Sequence, residues 1–320
     1  MVLSETAERI TSMEIRGAGR IARAAVEALK EYSEGLDSPD LTAYKKSMQE
    51  AADTLLATRP TAVSLPNAIH YTLASLKAAD SLPAARAALR ERADEFIRSS
   101  LHAIEWIAEI GARHISDGDV LLTHCNSQAA LACIIEAHRQ GKEIEVYATE
   151  VRPRGQGLLT LQALDQAGIR TNYIIDSAIR HFMNEIDLVI VGADAVTVNG
   201  AVVNKIGTAP IALAANEART NVIVAAETYK FAPLTILGDL IEIEERSGSE
   251  VLSEEIAARF RHVTIRNPVF DVTPASYIDL IITEKGALPP GLAYVIIRDY
   301  LGWSIEEFSK PHGLDDRNTD

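Results

Sequence analysis

Val120-Leu121-Leu122-Thr123-His124-Cys125-Asn126-Ser127 decides the fold. An apolar run of strand length ends in a polar turn, and residues 129–139 follow as an Ala-rich amphipathic stretch. A run too short for a helix, leading directly into a helical pattern, opens a strand–helix–strand unit. The pattern recurs downstream, with short apolar runs at 144–147, 172–175, 188–191, 222–225, 262–265 and 277–282. Helical stretches at 157–168 and 210–219 separate some of them. Parallel strands need a crossover between them, so this alternation predicts α/β architecture with a mostly parallel, doubly wound sheet.

Upstream the periodicity is helical. Ile21, Ala25, Ala28 and Leu29 fall on one face. Leu55 and Leu56 sit near the end of a second helix, stopped by Arg59-Pro60. A third spans 83–113, with Phe96, Ile97, Leu101, Ile104 and Ile107 at helical spacing and Arg90-Glu91-Arg92 as a solvated face. The change of pattern sets a domain boundary near Ser116, giving a helical N-terminal domain at 1–115 and an α/β domain at 116–320. The end of the chain, 315–320, reads as frayed.

With 320 residues, 47% of them hydrophobic, the chain can bury a sizeable core as one large domain or two ordinary ones. Its formal net charge of −14 argues against a nucleic-acid partner, which calls for a basic face, but not against an anionic substrate held by local cations. Two cysteines, Cys125 and Cys133, make no disulfide framework, and a reducing cytoplasmic setting is the default. The first nine residues carry no apolar signal core, and no apolar run reaches the length of a membrane helix.

Ligands of open α/β sheets bind beyond the carboxyl ends of the strands. Those ends read His124-Cys125-Asn126, then Glu150 leading into Arg152-Pro153-Arg154-Gly155-Gln156-Gly157, Asp176, Gly192-Ala193-Asp194, and Glu227 followed by Tyr229-Lys230. A thiol, acids and cations at one edge suggest an active site. Cys125 precedes a helix starting near Ser127, where the helix dipole can lower a thiol pKa toward neutrality. Cys133, amid Ala132, Ile134 and Ile135, reads as a space-filling residue. Asp194 follows the Val189–Val191 run and precedes the hairpin signal Asn199-Gly200, so it is either a turn cap or an acid at the site. Zinc is a poor fit, because no second Cys/His pair has ligand spacing.

Arg16-Gly17-Ala18-Gly19-Arg20 places glycine-freed amides between two cations, which suits a phosphate; close helix packing through the glycines explains the same spacing. Its match to the dinucleotide fingerprint follows a helix rather than a strand, which rejects a nicotinamide cofactor. Asn204-Lys205-Ile206-Gly207-Thr208 offers helix N-terminal amides and a cation to an anion. A lone lysine is usually solvated, but Tyr229 and Phe231 beside Lys230 suggest a partly enclosed position.

These residues carry a family resemblance. Glu14-Ile15-Arg16-Gly17-Ala18-Gly19, Thr58-Arg59-Pro60-Thr61-Ala62-Val63-Ser64-Leu65-Pro66-Asn67, Thr123-His124-Cys125-Asn126-Ser127, Gly192-Ala193-Asp194 and Asn199-Gly200 are part of it. Asn204-Lys205-Ile206-Gly207-Thr208, Ala226-Glu227-Thr228-Tyr229-Lys230-Phe231 and Asn267-Pro268 to Phe270-Asp271-Val272-Thr273-Pro274 complete it. The whole chain resembles the archaeal ribose-1,5-bisphosphate isomerases, of a superfamily with methylthioribose-1-phosphate isomerases and the regulatory subunits of translation initiation factor 2B. Some relatives have His where Asn126 stands.

The resemblance implies a Rossmann-like catalytic domain after the helical one, and aldose–ketose isomerisation of ribose 1,5-bisphosphate to ribulose 1,5-bisphosphate in AMP degradation. It implies Cys125 and Asp194 as catalytic residues, and substrate contacts at Arg16, Gly17, Ala18, Gly19, Arg59, Ser127, Gln128, Ala129, Asn204, Lys205 and Lys230. It implies no metal or cofactor, a small sugar bisphosphate as ligand with no nucleic acid or membrane partner, and homo-oligomers in which dimers assemble into larger rings, a hexamer. In this reading Asp194, kept protonated by burial, opens the furanose ring while Cys125 thiolate removes the C2 proton. The alternatives are methylthioribose-1-phosphate isomerisation, with an apolar far end to the pocket, and a non-catalytic regulatory subunit, which would not need both Cys125 and Asp194.

Overall fold

The computed structural model describes residues 2–12, 14–15, 17–59, 63–233, 243 and 245–303. Arg16, Pro60, Thr61 and Ala62 of the sequence motifs, and the 315–320 tail, lie outside these. Five helices come first: α1 (Val2–Thr11), α2 (Ala18–Gly35), α3 (Leu41–Leu56), α4 (Ser64–Leu73) and α5 (Leu82–Ala112). The stripe read from the periodicity is the one buried: Ile21, Ala25 and Leu29 pack with Met48 and Leu55 of α3, Leu65 of α4 and Leu89 of α5. The α3 start is fixed by Asp40, whose carboxylate accepts the Ala43 amide at 2.8 Å.

Strands and helices then alternate: β1 (Val120–Thr123), α6 (Gln128–Arg139), β2 (Glu145–Thr149), α7 (Gly157–Gln166), β3 (Arg170–Ile174), α8 (Ile179–Phe182) and β4 (Leu188–Gly192). After β5 (Ala195–Thr197) and β6 (Val202–Lys205) come α9 (Thr208–Ala218), β7 (Asn221–Ala225), β8 (Phe231–Ala232), α10 (Glu254–Ala257), β9 (Phe270–Thr273), β10 (Leu280–Thr283) and β11 (Gly286–Leu288). The main sheet has the order β11-β10-β7-β4-β1-β2-β3, parallel except for β11. Successive residues of a strand face opposite sides. Leu121 and Ile190 pack with Ile107 of α5 and Ile134 of α6. Leu122, Val189 and Val191 pack on the other side with Ile179 and Ile211 of α8 and α9. Both faces are covered, which is why the strands read as continuous apolar runs rather than alternating ones.

A four-stranded second sheet, β8-β5-β6-β9, sits beyond the end of β4. Its β5–β6 hairpin is turned by Asn199-Gly200, as its sequence suggests, and Gly200 has φ 80°. A Cβ there would stand 2.3 Å from the Pro290 carbonyl oxygen, so the turn needs glycine on two counts. Two strand expectations are corrected. Residues 262–265 form no strand; 262–264 are exposed, and pairing resumes only at the Glu245–Pro268 bridge and β9. An apolar run without a neighbouring backbone to pair with does not become a strand. In the 277–282 run, residues 275–277 form a helical turn and the strand begins at Leu280. Among the described residues no helix is long and apolar enough to cross a membrane.

Candidate active site

Because the strands run parallel, the residues after β1, β2, β3, β4 and β7 share one edge of the sheet. Chain order reverses between β1 and β4: β2 and β3 lie to one side, β4, β7 and β10 to the other. Crossovers leave in opposite directions at such a point and open a crevice. Cys125, just past β1, and Asp194, just past β4, flank it. The crevice is close-packed at its root. Ser127 Oγ accepts the Ala130 amide at 3.2 Å and caps α6, while a Cβ on Gly192 would lie 2.2 Å from that same Oγ.

Cys125 has φ 66°, the left-handed region, which costs a non-glycine residue roughly 1–3 kcal/mol. Thr160 helps hold it there, its hydroxyl donating to the Cys125 carbonyl at 2.7 Å. The half-buried thiol lies 3.6 Å from Gln156 Oε1. The expected depression of its pKa is not found. Burial chiefly pushes the thiol above its ordinary 9.0; the Asn126 amide and Lys205 pull the other way, while Asp194 and Asp176 add to the rise. Desolvation of the thiolate outweighs the partial charge of the helix end.

Asp194 keeps its surface open at the edge, yet protein crowds it on its other sides. That loss of water raises its carboxyl above the ordinary 3.8; Lys230, Lys205 and Arg246 oppose the rise and Glu227 reinforces it. A reachable carboxyl that tends to keep its proton is what an acid catalyst requires.

His124 fastens the opposite wall. It is 1% exposed, its Nδ1 lies 2.6 Å from Thr149 Oγ1 and its Nε2 lies 2.9 Å from the Ile206 carbonyl. Burial lowers its pKa, so the ring is neutral; a carbonyl can only accept, so Nε2 carries the proton and Thr149 donates to Nδ1. The ring lies 2.9 Å from where a Gly207 Cβ would stand. Lys205, one residue before this turn, acts electrostatically on both Cys125 and Asp194, with its ammonium 5.0 Å from the Phe270 ring centroid.

The amides after Lys205 do not await an anion, contrary to the sequence expectation. Asp271 accepts the Gly207 amide at 2.7 Å and the Ala209 amide at 3.1 Å, so a carboxylate of the chain occupies that helix start. Burial raises Asp271 to about 6, against the pull of these amides. Asn204 is buried and its amide donates to Thr208 Oγ1 at 3.0 Å.

Lys230 is enclosed, as its aromatic neighbours suggest, and ion-paired to Glu227 at 2.8 Å. Asn67 of α4 ties this loop to the helical region, donating to the Tyr229 and Phe231 carbonyls at 2.9 and 2.6 Å. The glycine loop meets it from the same side: a Cβ on Gly19 would stand 2.5 Å from the Tyr229 hydroxyl, so Gly19 serves close packing, while Gly17, at φ 92°, makes the turn. Ala18 accepts the Ser64 hydroxyl at 3.2 Å. Arg59 is half-buried just past α3. Gln128 is exposed on the first turn of α6, whereas the Ala129 side chain lies in the core and leaves only its backbone to face a ligand.

The structure thus brings Cys125, Asp194, Lys205 and Lys230 into one electrostatic group and seats Gly17–Gly19 against Tyr229. It adds two residues to the site. Gln156 lies on the loop after β2 and was visible as a strand-end residue; Arg246, well past β7, shares a narrow pocket with Gln156 and Lys205 and has no local signal. The architecture and the strand-edge thiol, acid and lysines define an α/β protein with a polar site at the topological switch point of its sheet. The chain belongs to the Initiation factor 2 subunit family, which matches residues 14–290. Among its relatives, the ribose 1,5-bisphosphate isomerase of Methanocaldococcus jannaschii is 55% identical over 94% of this chain and 96% of that protein. The methylthioribose-1-phosphate isomerase of Acetivibrio thermocellus is 35% identical over 89% of this chain and 88% of that one. Among solved structures, translation initiation factor eIF-2B of Pyrococcus horikoshii superimposes with a TM-score of 0.71 at 35% identity, covering 90% of this chain and 97% of that chain.

Proposed function

We propose that this protein isomerises ribose 1,5-bisphosphate to ribulose 1,5-bisphosphate, with Asp194 as the acid and Cys125 as the base. The observation that carries the reading is their placement on either side of the β1/β4 reversal, with Asp194 disposed to hold a proton. The relative that is 55% identical over nearly the full length bears the name of this activity. Asp194 gives its proton to the ring oxygen as the C1–O4 bond breaks. Cys125 thiolate takes the C2 proton, and its electron pair forms the C1=C2 bond of an enol phosphate. The proton returns to C1, the C2 hydroxyl proton goes back to Asp194, and the ketose leaves with both groups restored. Lys205 and Lys230, with Arg16, Arg59 and the Gly17–Gly19 turn, supply the positive surroundings for two phosphates.

Residues 1–115 act as a helical domain and 116–320 as a Rossmann-like catalytic domain, a division supported by the switch from helices alone to alternating elements. The protein works in the cytoplasm as a homo-oligomer of dimers. Methylthioribose 1-phosphate isomerisation is the second reading, favoured by the relative that is 35% identical. The test is kcat/KM on both sugar phosphates at one ionic strength. The bisphosphate brings a second anion to the cations at this edge and the thioether brings none, so we expect a preference for the bisphosphate of about a hundredfold or more. Equal values would overturn the substrate assignment.

A further inference from the structure

We propose that Glu227 is a positioning residue for the isomerisation: paired with Lys230 and set beside Asp194 on the neighbouring strand end, it keeps Asp194 in the proton-carrying form that ring opening consumes. The inference rests on Asp194 being the acid.

Glu227 is ion-paired with Lys230, and Asp194 feels that lysine electrostatically without pairing with it. In the parallel β4–β7 pair Gly192 lies opposite Ala225, and each strand runs on two residues to a carboxyl, Asp194 on one and Glu227 on the other. Lys230 Nζ stands 2.8 Å from Glu227 Oε2, with the two side chains only 14% and 9% exposed. The other Glu227 oxygen accepts the Tyr229 hydroxyl at 3.0 Å. Burial opposes charging Glu227, but Lys230 and these contacts outweigh it and hold its pKa below the ordinary 4.5. Glu227 is therefore the carboxylate of the pair and already matches the Lys230 charge. A second negative charge at Asp194 would meet a lysine already matched by Glu227, together with the charge of Glu227 itself, and both disfavour its ionisation.

The groups around the pair come from every neighbouring element. Lys205 from β6 and Arg246 favour an ionised Asp194. Glu284, just past β10, is buried and accepts the Thr228 amide at 3.1 Å; it adds negative potential at Glu227 and Lys230. Cys125 faces Asp194 across the reversal, and the two influence each other. Within this set Glu227 cancels the lysine that pulls hardest on Asp194. Neutralising Glu227 would release Lys230 to pair with Asp194.

The kinetic signature follows from the order of titration. Burial raises both groups from their ordinary values, the thiol from 9.0 and the carboxyl from 3.8; where the thiol loses its proton after the carboxyl, a plateau separates the two titrations. The reactive form holds thiolate and acid together, so its population is constant between the two titrations and set by their separation. Every unit by which Asp194 falls lowers that plateau tenfold. Below both titrations, where Asp194 is protonated in either protein, the rates are equal.

The experiment is the pH profile of kcat/KM for ribose 1,5-bisphosphate in wild type and Glu227→Gln. We expect the acid limb of the variant to move down by about one unit, the plateau to fall about tenfold, and the two curves to converge at low pH. A loss of equal size at every pH, with the limb unmoved, overturns the proposal. A second readout does not depend on turnover: the infrared carbonyl band of a protonated carboxyl that is absent from Asp194→Asn. It is expected to titrate at lower pH in Glu227→Gln, at higher pH in Lys230→Met, and near the wild-type value in the double variant. Unchanged titration in the variants that fold refutes the coupling. If wild type does not turn over the bisphosphate, the isomerase reading fails while the infrared titration still decides the role of Glu227.

Discussion

Gly192→Ala tests whether the root of the crevice is built as described. The new methyl would lie 2.2 Å from Ser127 Oγ and 2.5 Å from Ser127 Cβ, in a strand flanked on both sides, so neither group has free space to retreat into. Overpacking of this kind costs about 1–3 kcal/mol. Turning Ser127 away forfeits its hydrogen bond to Ala130, a cap worth about 1 kcal/mol. Replacing glycine also removes unfolded-state freedom, which offsets roughly 0.4–1 kcal/mol. The net expectation is a destabilisation of about 1–3 kcal/mol, read as a lower urea midpoint at unchanged m. Ser127→Gly alone costs only a few tenths of a kcal/mol, because glycine is a tolerable cap. The double variant opens space for the added methyl and is expected to recover about 1 kcal/mol or more relative to additivity. A Gly192→Ala protein as stable as wild type, or strictly additive effects, would refute the contact. Ser127 lies two residues from Cys125, so kcat is expected to fall in Gly192→Ala even where the protein remains folded.

Cys125→Ser is expected to fold and to lose on the order of 100- to 10,000-fold in kcat, since a hydroxyl is a far weaker base; near-normal turnover would remove Cys125 from the mechanism. Cys133→Ser, in contrast, leaves the chemistry intact but loses stability, because Cys133 is buried against Gly111. Asp194→Asn should bind the bisphosphate and fail at ring opening; an effect confined to KM would make Asp194 a binding group. Asp271 gives a pH signature of stability. Its folded pKa of about 6 lies above the 3.8 of an unperturbed carboxyl, so the folded state binds the extra proton. The stability this adds is present below pH 3.8 and is lost as pH rises through about 6. Relative to Asp271→Asn, wild type should lose roughly 2–3 kcal/mol between those limits in urea titrations and change little above them. A gap that widens with pH instead would mean the amide bonds outweigh burial.

Much of the fold was legible because it rests on local pattern. The stripe of Ile21, Ala25 and Leu29, the strand of Val120–Thr123 and the Asn199-Gly200 turn each announce themselves within a few residues. The strand-end rule then listed Cys125, Asp176, Asp194 and Glu227 before any contact was known, since a parallel sheet puts those ends on one edge. The 262–265 run shows the limit. Its residues are apolar enough for a strand, but no local signal says whether a neighbouring strand is there to receive its amides and carbonyls.

What sequence alone determined is the inventory and the edge: which side chains follow which strand, and that a thiol, acids and lysines gather there. What they are bonded to was decided by tertiary structure. Asp271 fills the helix start that looked ready for an anion, and Lys230 is committed to Glu227. The Cys125 thiol is raised, not lowered, because burial around it is a sum over distant segments, while the helix dipole that argued otherwise is local. Periodicity reports the faces of elements; desolvation and ion pairing depend on three-dimensional surroundings, which residues far apart in the chain supply only once it is folded.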